Sequence, residues 1–183
     1  MRYAVDIIDK YVVKYNPMRV RLARSEDYGG IFRLYDQFDD DRVESGVGAA
    51  GFKYLEGESP WASTLRDPDC ETYVAKEGDV LLAFISVRHS QVNPFKHVKR
   101  LAEVDLIVVD RRLRRRGVGN WLFNYVASSL KRRGFSHLIL NVSTRNAPAL
   151  LFWSRLGFKP LSKTEYMHAD GMREATSYMI KKI

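Results

Sequence analysis

Residues 101–122, LAEVDLIVVDRRLRRRGVGNWL, combine residue types that can hold a phosphate group. A strand pattern runs into an arginine-rich turn, and Gly117 and Gly119 then lead into a helix pattern. The first N–H groups of a helix have no partner within the helix, and the helix dipole adds partial positive charge there. Glycine removes side chains that would keep a phosphate away from those groups. The segment therefore predicts an anion-binding site at the start of a helix.

The surrounding sequence predicts short strands and helices that would position this site. Strands are predicted over 18–24, over 71–90 as a hairpin around EGD, over 101–110, over 137–142, near 158–167 and near 172–181. Helices are predicted from Ser25 as N-cap residue, near 47–58, over about 117–132 and over 146–156. The acidic stretch QFDDDRVESG predicts a loop between the first two helices. Residues 1–16 fit either a short amphipathic helix or a strand.

This order predicts an α/β fold of the α+β kind, with a mixed, mostly antiparallel sheet of about six to seven strands and helices on both faces. HLILNV at 137–142 is apolar apart from its ends, which is typical of a strand buried on both faces. No repeat or linker-like composition divides the chain. We therefore predict an N-terminal extension over 1–17 and a single domain over 18–183.

Two segments resemble motifs of the GNAT superfamily, the acyl-CoA-dependent N-acetyltransferases. RRRGVG at 114–119 resembles the signature R/Q-x-x-G-x-G/A, and it stands between a strand and a helix as in the family. NAPALLFWSRLGF at 146–158 is similar to N-x-x-A-x-x-(L/F)-Y-x-(K/R)-x-G-F. The separation of the two segments, with a buried strand between them, also fits the family. The resemblance implies a GNAT-like fold with acetyl-CoA as co-substrate.

In the family the first segment binds the CoA pyrophosphate, and the second lines the pantetheine arm and thiol. The resemblance therefore implies a cofactor site made of Ile107, Val108, Val109, Arg114, Arg115, Arg116, Gly117, Val118, Gly119, Asn120, Asn146, Ala149, Phe152, Trp153 and Arg155.

The reaction that the resemblance implies is direct transfer, in which a neutral amine attacks the thioester carbonyl. In the family a backbone N–H of the cofactor strand polarises that carbonyl, beside a bulge that splays the strand from its parallel neighbour. Val109 is the matching position here. Preorganised donors of this kind lower a barrier by several kcal/mol.

The carboxylate that removes the amine's proton is predicted to lie on the same strand. Glu103 occupies the position of a catalytic glutamate in some family members, and Asp105 has the same strand parity and is its rival. The alternative is that Glu103 is an ordinary solvated strand residue.

Trp153 departs from the family pattern, since many members have a tyrosine there that is proposed to protonate the leaving thiolate. An indole N–H is not a usable acid. Either the thiolate leaves unaided, or Ser154 or Tyr125 helps, or the protein binds acetyl-CoA without turnover and acts as a regulator.

Composition narrows the function classes. The chain of 183 residues has one cysteine, Cys70, which excludes an internal disulfide framework, and its four histidines show no metal-ligand spacing. No apolar run approaches the length of a membrane span and no signal-peptide pattern is present, so we expect a cytoplasmic protein that does not enter a membrane. The formal net charge of +8 favours anionic partners. Nucleic-acid or ribosome binding is the alternative function, against which stands the clustering of arginines at one turn.

The acceptor amine is indicated only by the acidic stretch. Asp36, which precedes the stretch, and its Asp39, Asp40, Asp41 and Glu44 would attract a cationic amine, or would merely keep a surface loop solvated. A homodimer is compatible with the exposed strand edges that the element order implies.

Overall fold

The computed structural model describes residues 18–44, 60–89, 98, 100–167 and 173–183. Its strands are β1 Arg19–Leu22, β2 Cys70–Glu77, β3 Val80–His89, β4 Leu101–Val109, β5 His137–Ser143, β6 Lys159–Met167 and β7 Arg173–Lys182. Its helices are α1 Tyr28–Glu44, α2 Pro60–Arg66, α3 Val118–Arg132 and α4 Ala147–Arg155, with 3-10 turns at Ser25–Asp27 and Arg111–Leu113.

All seven strands belong to one sheet in the order β1-β2-β3-β4-β5-β7-β6. Every neighbouring pair is antiparallel except β4 and β5, which run parallel. The predicted mixed, mostly antiparallel sheet is confirmed, and so is the hairpin around EGD.

Helices cover both faces of the sheet, as predicted. The larger apolar cluster joins Leu122, Phe123 and Leu130 of α3 to one face of β2 to β5 and to α4. The smaller cluster joins Ile31 and Leu34 of α1 to the opposite face of β2, β3 and β4. We call these the α3 face and the α1 face.

The β4–β5 pair opens along its length. Its parallel register consists of Leu101↔His137, Ala102↔Leu138 and Glu103↔Ile139, and it ends there although both strands continue. On the other side of β4, Ser86 pairs with Leu106 while Val87 pairs with Val104, so Asp105 is the extra residue of a β-bulge. A bulge bends its strand and increases the local twist, which separates β4 from β5 beyond this point. The splay that the resemblance implied is present.

The first helical region differs from the prediction. The acidic stretch is not a loop as far as Glu44, because α1 continues through it and places Phe38 on the apolar side with Ile31 and Leu34. Ser25 is not an N-cap residue either, since Arg24 holds that position before a 3-10 turn. The predicted helix near 47–58 and the extension over 1–17 lie outside the described residues.

Candidate active site

A cleft of about 1090 Å³ occupies the opening between β4 and β5. Its walls include Ile107 and Val109 from the α3 face of β4 and Leu106 and Val108 from the α1 face. Because side chains of both faces line one cleft, the opening passes through the sheet.

The predicted anion-binding turn lies at one end of this cleft. Gly117 is the N-cap residue of α3 at φ 91°, a conformation that suits glycine. The first α3 bond found at this end runs from the Trp121 N–H to the Gly117 carbonyl at 3.0 Å. The N–H groups of Val118, Gly119 and Asn120 precede it and therefore lie at the positive end of the helix dipole. Val118 can contribute only its backbone, since its side chain is buried in the core.

The arginines of the turn have different roles. Arg114 donates from Nε to the Val109 carbonyl at 2.9 Å, and it forms an ion pair with Asp41 at 2.5 Å. Arg111 also pairs with Asp41, at 2.7 Å, and Arg112 pairs with Asp110 at 2.9 Å. These carboxylates hold the turn against α1 and the end of β4.

Asp110 fixes the start of this turn from inside the protein. Its buried carboxylate accepts from the backbone N–H of Arg112 at 3.0 Å and from the guanidinium of Arg33 at 3.0 Å. The hydrogen bonds from Arg112 are the main reason that its pKa lies below the usual value, so the group stays charged.

Two backbone N–H groups of β4 point into the opening. The Asp110 N–H donates across to β3, at 2.9 Å from the Leu82 carbonyl. Because the direction alternates along an antiparallel strand, the N–H groups of Ile107 and Val109 face the β5 side. The β4–β5 register has already ended there. These groups can therefore donate to a ligand carbonyl.

The carboxyl of Asp105 lies in the cleft wall, at the bulge. It accepts a hydrogen bond from Cys70 Sγ at 3.1 Å and lies 3.5 Å from a guanidinium nitrogen of Arg88. Burial is the main reason that its pKa is raised. A carboxyl with a raised pKa at a cleft is suited to taking and returning a proton.

Glu103 lies beside it but outside the cleft wall, as far as the described residues define that wall. Its pKa is raised by burial and then by the charge of Asp105. Of the two predicted candidates for the base, Asp105 is the one in contact with the cleft.

Helix α4 closes the other side of the opening. Its N-cap residue Asn146 accepts from the Ala149 N–H at 3.0 Å, which fixes the helix start at the end of β5. Phe152 lines the cleft, and its ring lies 4.8 Å from that of Trp153. The Trp153 ring also packs against Phe158 at 5.3 Å and Phe123 at 5.9 Å, and only 6% of the residue is exposed. Trp153 thus anchors α4 to α3.

The structure brings most of the predicted cofactor residues together. Those lining the cleft are Ile107, Val108, Val109, Arg114, Arg115, Gly117, Val118, Gly119, Asn120, Asn146, Ala149, Phe152, Trp153 and Arg155. Arg116 is not among the lining residues, and neither are Tyr125 and Ser154, the two residues considered as acids for the thiolate.

Sequence reasoning missed the polar residues of the cleft that come from β5 and β7. Asn141, Ser143, Glu174 and Thr176 all line it. The only signal for them was a polar residue within the apolar run HLILNV, which pointed to Asn141.

The described residues hold no group of three or more His, Cys, Asp or Glu side chains that could bind a metal ion. None of the described helices is long and apolar enough to cross a membrane.

Comparison with known proteins identifies the family. The model of the acetyltransferase (GNAT) family matches residues 32–158, which include the arginine-glycine turn, β4, β5 and α4. This chain belongs to the GNAT family. The predicted family is confirmed, and with it acetyl-CoA as the co-substrate that the family uses.

Streptothricin acetyltransferase of Streptomyces lavendulae is a relative of this GNAT protein, 37% identical over 126 residues. The match covers 68% of this chain and 57% of the relative, so the chain spans little more than half of that protein's length.

Two solved structures share the fold. The ribosomal-protein-S18-alanine N-acetyltransferase of Escherichia coli is 20% identical with a TM-score of 0.66, and the match covers 91% of this chain and 94% of that one. The Salmonella typhimurium protein yncA, solved with its cofactor acetyl-CoA, is 16% identical with a TM-score of 0.64, and the match covers 90% of this chain and 93% of that one.

Proposed function

We propose that this GNAT protein is an N-acetyltransferase that moves the acetyl group of acetyl-CoA to an amine by direct attack on the thioester. The observation that carries the proposal is the cleft through the sheet. It has an anion-binding helix start at one end and a buried carboxyl at the bulge, with backbone donors on the strand between them.

The phosphates of acetyl-CoA would be held by main-chain groups more than by side chains. The N–H groups of Val118, Gly119 and Asn120 suit a pyrophosphate, which needs several donors at close approach. Arg115 lines the cleft there and is exposed, so it is available to a phosphate. Arg114 would hold the carbonyl of Val109 and shape the turn.

The donor to the acetyl oxygen is better assigned to the N–H of Ile107 than to that of Val109. The reacting carbonyl must lie within reach of both the oxyanion donor and the base. Ile107 is two residues from Asp105, whereas Val109 is four residues away, roughly 13 Å along a strand. The Val109 N–H would instead contact the cofactor arm on its way to the phosphates.

Asp105 is the proposed base, and Glu103 would support it. The carboxylate of Asp105 accepts a proton from the acceptor ammonium, directly or through water, and the free amine then attacks the carbonyl. Glu103 adjoins Asp105, and the charge of Asp105 helps to raise the pKa of Glu103, which keeps a second carboxyl able to hold a proton beside the base. The thiolate can leave without an acid, since the pKa of a thiol is moderate.

The cysteine is excluded as a nucleophile. Burial, followed by the neighbouring Asp105, raises the pKa of Cys70 to about 12, so its thiolate form is scarce at neutral pH. A covalent acetyl-cysteine route therefore lacks its reactive group.

Streptothricin is the first acceptor to test, because a relative 37% identical carries that activity in its name. Since this chain matches just 57% of that relative, the acceptor is part of the proposal. We also infer a cytoplasmic location, with which the free thiol of Cys70 is in keeping. The homodimer stays a prediction, and size-exclusion chromatography with light scattering would test it.

The test combines binding and turnover. Acetyl-CoA is titrated into the protein by calorimetry, and thiol release is then followed with streptothricin and simple amines. We expect micromolar binding and amine-dependent release of CoA. Binding without release on any amine would contradict the enzyme and favour a regulator, and the absence of binding would contradict the cofactor site itself.

A further inference from the structure

The α1 face of β5 and β7 forms a polar surface inside the cleft. Asn141 pairs with Tyr178 and Ser143 pairs with Thr176, so their side chains share a face, and Glu174 continues it two residues further along β7. The neighbours Leu140, Val142 and Met179 point to the α3 face and are buried in the large core cluster. We call Asn141, Ser143, Thr176 and Glu174 the β5–β7 patch, and all four line the cleft.

Asn141 has an amide oxygen that the fold does not satisfy. Its Oδ1 is buried, and none of the described residues donates a hydrogen bond to it. A buried acceptor left without a donor costs roughly 1–3 kcal/mol, and native proteins rarely keep one without a purpose. A ligand that brings an N–H group into the cleft would remove this cost.

The position of Asn141 matches that of the candidate base. Glu103 and Ile139 form the last β4–β5 pair, and Asp105 and Asn141 each lie two residues beyond it on strands that then diverge. The two side chains therefore lie on opposite walls of the opening at the same level. An amine between them would meet a carboxylate on one side and an amide oxygen on the other.

The patch also carries a carboxylate further out. Glu174 is half-buried in the cleft wall, about four residues or roughly 13 Å along the strand direction from Asn141. Of the α1 acids, Asp41 also lines the cleft, and it forms ion pairs with Arg111 and Arg114 at the arginine-glycine turn. Arg145, at the mouth of the cleft, is exposed to solvent, where its charge is screened.

We propose that the β5–β7 patch binds the acceptor, and that it selects an amine carrying a second positively charged group. The Asn141 Oδ1 accepts a hydrogen bond from the attacking nitrogen and holds it beside Asp105. The Glu174 carboxylate binds the second cation, and the hydroxyls of Ser143 and Thr176 line the path between them. This inference rests on the proposed function, since it names the acceptor class for that reaction.

The experiment compares monoamines with diamines of increasing length. Thiol release is measured with butylamine, 1,3-diaminopropane, putrescine, cadaverine and 1,7-diaminoheptane at saturating acetyl-CoA. We expect the longer diamines to have a KM at least about tenfold below that of butylamine, as for a charge-assisted hydrogen bond. Because of the separation along β7, 1,3-diaminopropane should gain least.

Three variants assign the effect to the patch. Glu174→Gln should raise the KM for cadaverine about tenfold and leave that for butylamine within twofold. Glu165→Gln is the matched control, since Glu165 lies on the neighbouring strand β6 and is exposed. Asn141→Leu should lower kcat/KM for every amine about tenfold, yet keep or raise the Tm, because it removes an unsatisfied buried oxygen.

The outcomes separate this inference from the proposed function. Equal KM values for mono- and diamines, together with normal acetyl-CoA binding, would overturn the acceptor assignment and leave the transferase standing. A lower Tm with unchanged kcat/KM in Asn141→Leu would show that the residue is structural. If the CoA-loaded protein neither acetylates nor binds any of these amines by calorimetry, the patch is not an acceptor site.

Discussion

Replacing Gly119 tests the anion-binding turn without harming the fold. A Cβ at this position would meet Val109 Cγ2 at 3.4 Å and the Phe152 ring at 3.5 Å, which are ordinary contacts. Gly119 is the second residue of α3, where alanine or glutamate is a better helix former by up to about 1 kcal/mol. A glutamate in the first turn also gains about 0.3–1 kcal/mol from the helix dipole. Gly119→Glu and Gly119→Ala should therefore both unfold at or above the natural Tm, by about 2–4 °C for each kcal/mol gained.

The two variants should differ in cofactor binding. Glutamate places a negative charge among the N–H groups that would hold the pyrophosphate. At about 4 Å the repulsion with one phosphate charge ranges from about 1 kcal/mol in bulk water to about 4 kcal/mol near a protein surface. Acetyl-CoA should thus bind Gly119→Glu roughly 5- to 900-fold more weakly. Gly119→Ala adds only a methyl group, which the family signature R/Q-x-x-G-x-G/A also allows at this position and which makes ordinary contacts, so its Kd should stay within about threefold of the natural value.

Calorimetric titration with acetyl-CoA and a thermal melt of the free protein provide both numbers. Gly119→Gln separates charge from size, and it should fall between the other two variants. If Gly119→Glu bound acetyl-CoA as well as Gly119→Ala does, with both proteins folded, the phosphates would not lie at the start of α3. The assignment of the turn would then be refuted.

Four further predictions concern the two carboxyls of β4, the tryptophan of α4 and a buried aspartate in the 3-10 turn before α1. Asp105→Asn should lower kcat at least about 100-fold, whereas Glu103→Gln should lower it less than about tenfold. Both are measured as the rate of thiol release, and the reverse order would contradict the assignment of the base. The raised pKa of both carboxyls also predicts that kcat rises with pH through an inflection above the usual carboxyl range. Trp153→Phe should lower the Tm by several degrees while kcat changes less than about threefold, because the indole packs in the core. A tenfold loss of kcat in the folded variant would instead indicate that Trp153 has a chemical role. Burial would raise the pKa of Asp27, but hydrogen bonds, chiefly the one from Arg21, lower it to about 2. The charged carboxylate of Asp27 therefore stabilises the fold above about pH 4, and this contribution is lost as the pH falls toward 2. Acid unfolding should therefore be less steep for Asp27→Asn, and an identical acid transition in both proteins would contradict this.

The parts of the fold that the sequence predicts well are those with local signals. Strand β5 appears as an apolar run, the β2–β3 hairpin as a turn between two such runs, and α4 as an apolar face that ends at Gly157. The family motifs supplied the connection between them. Where a decisive contact is distant in the chain, prediction failed. The acidic, glycine-ending stretch QFDDDRVESG predicts a loop, whereas α1 continues to Glu44 and Asp41 meets Arg111 and Arg114 from another element.

The site shows the same division. The turn and α4 carry glycine and cap signals that can be read locally. The choice between Glu103 and Asp105 could not be made from strand parity, because the bulge at Asp105 sets which carboxyl reaches the cleft. Residues of the β5–β7 patch come together only through the register of two strands that are far apart in the sequence.

Three residue pairs join β4 to β5, and they form a short connection between two parts of the sheet. A block of β1 to β4 and a block of β5 to β7 are thus paired within the sheet at Leu101–Glu103, while the core under α3 and α4 packs across both blocks. A ligand bound in the opening would hold β4 and β5 apart, and its hydrogen bonds to both strand edges would also link the two blocks. The stiffness of the molecule would then depend on the concentration of its substrate. Hydrogen exchange at Asn141 and Ser143, whose N–H groups face the opening, should slow with acetyl-CoA, while that at Val74 and Phe84 stays unchanged.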